Sequence, residues 1–180
     1  MHALSLHVRI ALVVAVIALT AGWCFGQAVD VTVVFDDSVL TEGGATVLRV
    51  YGQVVPAVSN QADRIFSWYV DLLNGGGAVA TADYGSLAMV TADNIPQTSS
   101  SGTTDGSHRR GIHNTFIDAG TGIGVGTAVE LLAVEVTAAA AGQAVFSVAA
   151  GTTVALAHDF IVAQDGGGMF TGGNYDLASA

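Results

Sequence analysis

Residues 128–149 read Ala128-Val129-Glu130-Leu131-Leu132-Ala133-Val134-Glu135-Val136-Thr137-Ala138, then Ala139-Ala140-Ala141-Gly142-Gln143, then Ala144-Val145-Phe146-Ser147-Val148-Ala149. The first run places Leu132, Val134 and Val136 on one side and Leu131, Ala133, Glu135 and Thr137 on the other. A two-residue period belongs to a strand, whose successive side chains point to opposite faces. The alanines between the runs favour helix by composition. The β-branched residues on both flanks, together with Gly142, favour two strands joined by a hairpin-like turn instead.

The same pattern extends outward in both directions. Residues 63–73 place Phe66, Trp68, Val70 and Leu72 on the face expected to point inward, and Ile65, Ser67, Tyr69 and Asp71 on the other. Residues 45–55 place Leu48, Val50, Gly52 and Val54 opposite Val47, Arg49, Tyr51 and Gln53, and Pro56 ends the strand. Shorter strands are expected at 30–35, 79–82, 87–91, 112–117, 152–156 and 160–163. The polar segment 93–111 is too poor in apolar residues to pack as a core element and is expected to be a long mobile loop. No stretch carries an amphipathic-helix pattern. The expected class is all-β: a two-sheet jelly-roll or immunoglobulin-like β-sandwich of about nine strands.

The N-terminus has a different character. Arg9 is the one fixed positive charge before an uncharged apolar run from Ile10 to Ala21. That run is too short for a bilayer span, which needs about 20 residues, but suits the core of a secretory signal peptide. Gly26-Gln27-Ala28 supplies small residues for cleavage before Val29, with Cys24-Phe25-Gly26 as the second choice. The bland alternative is a buried N-terminal helix. Cys24 raises lipidation, but the bulky Trp23 stands where a lipoprotein signal needs a small residue. The expected organisation is a signal peptide at 1–28, a β-sandwich at 29–165 and a flexible Gly-rich tail at 166–180. The expected location is secreted, extracellular or periplasmic, with no stable membrane span after signal removal.

Composition narrows the partners. Beyond residue 28 the chain keeps Arg49, Arg64, Arg109 and Arg110 as its only Lys or Arg residues, against all 15 acidic ones. A surface of that sign repels nucleic acid, whose phosphates are bound by Lys and Arg. Cys24 is the sole cysteine. Its removal with the signal leaves no disulfide, no Cys-based zinc site and no thiol nucleophile.

Two stretches resemble the cohesin domain, a nine-stranded jelly roll that bacteria use outside the cell. The first runs from Gly44-Ala45-Thr46-Val47-Leu48-Arg49-Val50-Tyr51-Gly52 through Ile65-Phe66-Ser67-Trp68-Tyr69-Val70-Asp71. The second is Gly124-Val125-Gly126, Val129 through Val136, then Gly142 and Val145-Phe146-Ser147-Val148. The family's Tyr-Asp-Pro strand ending stands here as Tyr69-Val70-Asp71-Leu72. The resemblance implies a non-catalytic module that binds another extracellular protein, within an assembly linked to polysaccharide degradation. A carbohydrate-binding module is the alternative and a hydrolase the weakest.

The residues themselves give few chemical candidates. His108-Arg109-Arg110-Gly111-Ile112-His113 is a basic, His-containing spot of unspecific spacing, read as a solvated loop. Gly-x-Ser-x-Gly is absent. Glu130 and Glu135 are five residues apart, so on one strand they face opposite sides and make no glycosidase pair. Asp36 and Asp37 are candidate metal contacts. Asp165-Gly166-Gly167-Gly168 and the Gly172-to-Leu177 stretch invite a calcium reading, but their spacing favours a tail. No cofactor is expected, with calcium the one ion left open. Trp68, Tyr51, Tyr69 and Tyr84 are candidates for a sugar platform. Trp68 falls on the inward face, leaving Tyr51 and Tyr69 as the preferred ligand-binding residues, with cross-strand pairing as their structural alternative.

Overall fold

Alternation of apolar residues is expressed here as strands and nothing else among the described residues. The computed structural model describes residues 9–14, 28–55, 64–90, 97–116, 127–152, 159–163 and 174–175. The first strands are β1 (Arg9–Val14), β2 (Ala28–Phe35), β3 (Val39–Thr41), β4 (Ala45–Val55), β5 (Arg64–Asn74) and β6 (Ala80–Met89). Then come β7 (Gln97–Ser100), β8 (Thr103–Asp105), β9 (His108–Phe116), β10 (Val129–Ala138), β11 (Gln143–Ala150), β12 (Phe160–Ala163) and β13 (Asn174–Tyr175). A four-stranded sheet has the order β2-β4-β10-β6. The larger sheet runs β13-β12-β5-β11-β1-β3, with β9 also on β5, and β7 and β8 on β9.

The two sheets pack face to face as a sandwich. One apolar core takes Val31, Val33, Leu48, Val50, Val134 and Val136 from the small sheet, and Trp68, Val70, Leu72, Ile112, Phe146 and Phe160 from the large one. Phe35 meets Phe146 edge-on across the sheets, with ring centroids 5.6 Å apart, a geometry favoured by the ring quadrupoles. The all-β two-sheet expectation holds, and the inward faces read for 45–55 and for Trp68 are buried as expected.

The stretch 128–149 forms two strands, but not a hairpin. β10 lies in the small sheet between β4 and β6, whereas β11 lies in the large sheet against β5. The connection therefore arches from one sheet to the other. Leu132, Val134 and Val136 then face Ala144, Phe146 and Val148 within one core, rather than lying beside them. Val79 fixes the arch by accepting the amides of Ala139 and Ala140 at 2.8 and 3.1 Å. Gly142 has φ +152°, and a Cβ there would meet Val79 Cγ2 at 2.9 Å, so glycine is required at this turn.

Bulges explain three further departures. Across β4, Glu130 pairs with Tyr51 and Leu132 with Val50, so Leu131 is an extra residue. The extra residue reverses the alternation, and Leu131 and Leu132 are both buried. Glu130 and Glu135 therefore share the outer face, opposite Tyr51 and Val47, contrary to the expectation of opposite faces. Four residues of strand still hold them about 13 Å apart, too far for a glycosidase pair. In β6, Ala133 pairs with Ala88 but Glu135 pairs with Asp83, so a wide bulge around residues 84–87 joins the two short strands expected at 79–82 and 87–91.

One other segment differs from expectation, and two more form short strands. Within 93–111, β7 and β8 pair with β9, so residues 97–105 are largely laddered rather than loop. Their Gln, Thr and Ser side chains carry no core signal; backbone pairing with β9 and side-chain bonds from Arg109, Arg110 and Asn114 order them. Arg9–Val14, within the expected signal segment, forms a strand parallel to β11 and antiparallel to β3, not a helix. Asn174–Tyr175, within the expected tail, pairs with Phe160 and Ile161 of β12.

β11 and β12 follow one another along β5. Ala150 pairs with Val70, and Phe160 pairs with Trp68. Two steps along β5 thus correspond to ten along the partner segment. β11 and β12 therefore fall on one line of pairing along β5, and residues 153–158 between them, which hold most of the strand expected at 152–156, lie outside the described residues. The described residues that flank this segment, Gly151, Thr152 and Asp159, lie against the outer side of β5 and bury it. Tyr69 donates its amide to the Asp159 carbonyl at 2.8 Å.

Candidate functional site

The outer face of the small sheet carries the most developed polar arrangement. β4 is a central strand, so its outward residues Val47, Arg49, Tyr51 and Gln53 are flanked by β2 and β10. Arg49 grips Asp36 bidentately, Nε to Oδ1 at 2.8 Å and Nη2 to Oδ2 at 2.9 Å. Its third nitrogen, Nη1, donates to Glu130 Oε2 at 2.8 Å. These bonds hold the Asp36 carboxyl below its ordinary range, chiefly through the Arg49 hydrogen bond. The same two carboxylates raise the Arg49 guanidinium further above its usual value. Planar guanidinium–carboxylate pairing fixes the Arg49 side chain despite its partial exposure. Tyr51 lies two residues along, half-exposed, opposite Thr32 and Glu130.

A second feature lies where the sheet edges meet. The β6 bulge brings Tyr84 to the turn between β8 and β9, where its hydroxyl donates to the Ser107 carbonyl at 2.6 Å. Bulges commonly re-aim a side chain in this way. Arg109 stacks on Tyr84, its Cζ 5.4 Å from the ring centroid. It also donates to the Ser101 carbonyl at 2.6 Å and to Thr104 Oγ1 at 2.7 Å. Burial raises the Tyr84 hydroxyl pKa, partly offset by Arg109. The pocket beside it, lined by Asn74, Thr81, Ala82, Tyr84, Thr104, Gly106 and Ser107, measures about 170 Å³. Ligand pockets run about 300–1,000 Å³, so this one admits a single small ring or side chain.

A third group is internal. Asp71 is fully buried. Its Oδ1 accepts from the Gly111 amide at 2.8 Å and the Thr152 amide at 3.4 Å, and its Oδ2 from Thr152 Oγ1 at 2.6 Å and Arg110 Nη1 at 3.0 Å. Burial alone would raise its pKa; the donors from Thr152, Gly111 and Arg110 outweigh it and hold the group ionised. The network pins β9 and Thr152 to β5.

The residues singled out by sequence separate accordingly. Tyr51 stands on the outer face as expected. Tyr69 does not stand as an exposed platform: it is 1% exposed. The backbone of Gly151 closes over its ring, where a Cβ would clash with Tyr69 Cε1, Cδ1 and Cζ, and His113 lies edge-on to it at 6.2 Å. Asp36 is engaged by Arg49. Asp37 is exposed, and its amide donates to Thr46 Oγ1 at 2.8 Å. Among the described residues, no group of three or more His, Cys, Asp and Glu is placed to hold a metal. His108 accepts the Asn74 amide at Nδ1, 3.1 Å away, so the basic spot forms structured strand rather than loop. Cys24, His158 and the glycine-rich stretch after Asp165 lie outside the described residues. No helix among the described residues is long and apolar enough to cross a membrane.

Arg49 was legible as an outward residue, but its partners were not. A lone Arg inside a strand of an acidic chain is the signal that could have found them. Asp71 likewise read as an outward strand residue. Nothing local announced the distant Thr152 and Arg110.

Comparison with protein-family models, with curated proteins and with solved structures gives no match. The fold alone places the chain: it is an all-β two-sheet sandwich.

Proposed function

We propose that this chain is an exported, non-catalytic binding module of cohesin type, which holds another extracellular protein in an assembly serving polysaccharide degradation. The observation that carries the reading is the outer face of β2-β4-β10-β6, with half-exposed Tyr51 beside an Arg49 immobilised by Asp36 and Glu130. Tyr and Arg are the residue types that dominate binding energy at protein interfaces. Pre-fixing Arg49 lowers the entropy lost when a partner docks. Four strands and about eight residues of each give a face of roughly 20 by 30 Å. That is of the order of the ~800 Å² each partner contributes to a standard interface. The acidic balance favours a partner with a neutral or basic surface.

A carbohydrate-binding module is the second reading. It rests on Tyr51 as a flat aromatic platform. Affinity isolation from the secreted proteins of the source cells, run beside a glycan array, separates the two. The first reading expects one identified protein to be retained by the native chain and lost with Tyr51→Ala. Retention of a polysaccharide instead supports the second.

A further inference from the structure

β1 is seated between two other strands. Ala11, Leu12, Val13 and Val14 pair in parallel with Gln143, Ala144, Val145 and Phe146 of β11. On its other side, Arg9, Ile10 and Ala11 pair antiparallel with Thr41, Leu40 and Val39 of β3. β3 has no other strand partner among the described residues. The seat is therefore a full strand position, two inter-strand spacings wide, or about 9.5 Å.

The same six residues fall inside the segment read as a secretory signal. Cleavage before Val29 would take β1 away and leave the seat. The backbone of Gln143–Phe146 would then lose its partners on one side, and β3 its only ones. Leu40, Ala144 and Phe146 are now buried and would border the gap. Val39 and Val145, which stand opposite Ala11 and Val13, are already 54% and 38% exposed. They are two of only three exposed large hydrophobic residues in the described chain. An aliphatic strand edge with unpaired backbone is a template for another strand, and proteins rarely leave one bare.

We propose that, once residues 1–28 are removed on export, the slot between β3 and β11 receives an extended aliphatic strand of a partner protein, running parallel to β11. Backbone hydrogen bonds to both neighbours supply affinity, as in other strand-addition complexes. Specificity comes from apolar residues at the alternate positions opposite Leu40, Ala144 and Phe146. The chemistry of the occupant follows from the segment that fits the seat here, Ile10-Ala11-Leu12-Val13-Val14, which is uncharged and mostly aliphatic. The inference rests on the export reading above and concerns a site in the large sheet, separate from the outer face of β2-β4-β10-β6.

The test uses the full gene expressed with export. Mass spectrometry of the released protein comes first. Retention of residues 9–14 removes the export reading and, with it, the open slot. With those residues gone, a fluorescent peptide of residues 8–15 is titrated in, and amide exchange is followed. The peptide is expected to bind and to slow exchange at residues 39–41 and 143–146 at least tenfold. A Leu12→Pro peptide, lacking a ladder N–H, is expected to bind at least tenfold more weakly. No binding up to about 1 mM peptide, on a folded protein lacking residues 1–28, overturns the slot while leaving export intact. Amides at 143–146 already protected in a released dimer also overturn it, and assign the seat to a second copy.

Discussion

Replacing Asp71 by Asn tests whether the internal network holds Thr152 and β9 onto β5. The carboxylate is fully buried and receives four hydrogen bonds, from Gly111, Arg110 and twice from Thr152. Asparagine keeps the shape, and its oxygen can still accept from the Gly111 amide at the Oδ1 position. Its NH2 then faces the Arg110 guanidinium, so the ion pair is lost. Hydrogen bonds to a charged group contribute about 1.5–3 kcal/mol each, and two such bonds meet Oδ2. The loss is discounted because Arg110 is 25% exposed and keeps Asp105 at 3.2 Å, and the Thr152 hydroxyl can turn to accept. The expected cost is about 2–3 kcal/mol at neutral pH. At about 2–4 °C per kcal/mol for a chain of this size, the midpoint falls by roughly 4–12 °C. The folded pKa of Asp71 lies below its ordinary value of 3.8. Its stabilisation is therefore complete above the ordinary value and is lost as pH falls through the folded one. Urea unfolding of both proteins, followed by Trp68 fluorescence, should show a gap at pH 7 that narrows below about pH 4. A gap under about 0.5 kcal/mol at pH 7, or one unchanged in acid, refutes the network's role.

Other substitutions test the remaining packing. Phe146→Ala removes a buried ring from the centre of the sandwich and should cost about 3–5 kcal/mol in the same assay. Gly151→Ala drives a methyl into the Tyr69 ring and should cost about 1–3 kcal/mol, with faster amide exchange at Gly151 and Thr152. Tyr84→Phe removes the bond to the Ser107 carbonyl and should cost only about 0.5–1.5 kcal/mol, with faster amide exchange at the β8–β9 turn.

The parts of the fold legible in the sequence are those set by uninterrupted alternation. Leu48, Val50, Gly52 and Val54 of β4 are all buried, as their spacing requires. Leu131 breaks the rule because a bulge adds a residue without altering composition, and so the two glutamates come to share one face unannounced. Residues 139–143 look like any turn, since a turn's sequence does not say which sheet its exits enter. β10 already has β4 and β6 beside it, which leaves β11 no place next to it. β7 and β8 were hidden because their polar side chains lie outside the core and their order comes from β9. Of the candidate site, Tyr51 was legible from its outward phase. Tyr69 has the same phase but is covered by Gly151 and Asp159, eighty or more residues away in sequence. Only tertiary contact distinguishes the two tyrosines.

The central claim is that the outer face of β2-β4-β10-β6 binds another extracellular protein through Tyr51 and the fixed Arg49. Affinity isolation with the released native chain and with its Tyr51→Ala form, followed by identification of what is retained, tests it most directly. The account predicts one protein retained by the native chain and lost, at unchanged thermal midpoint, with Tyr51→Ala. The same protein retained equally by both forms, or a polysaccharide in its place, contradicts it.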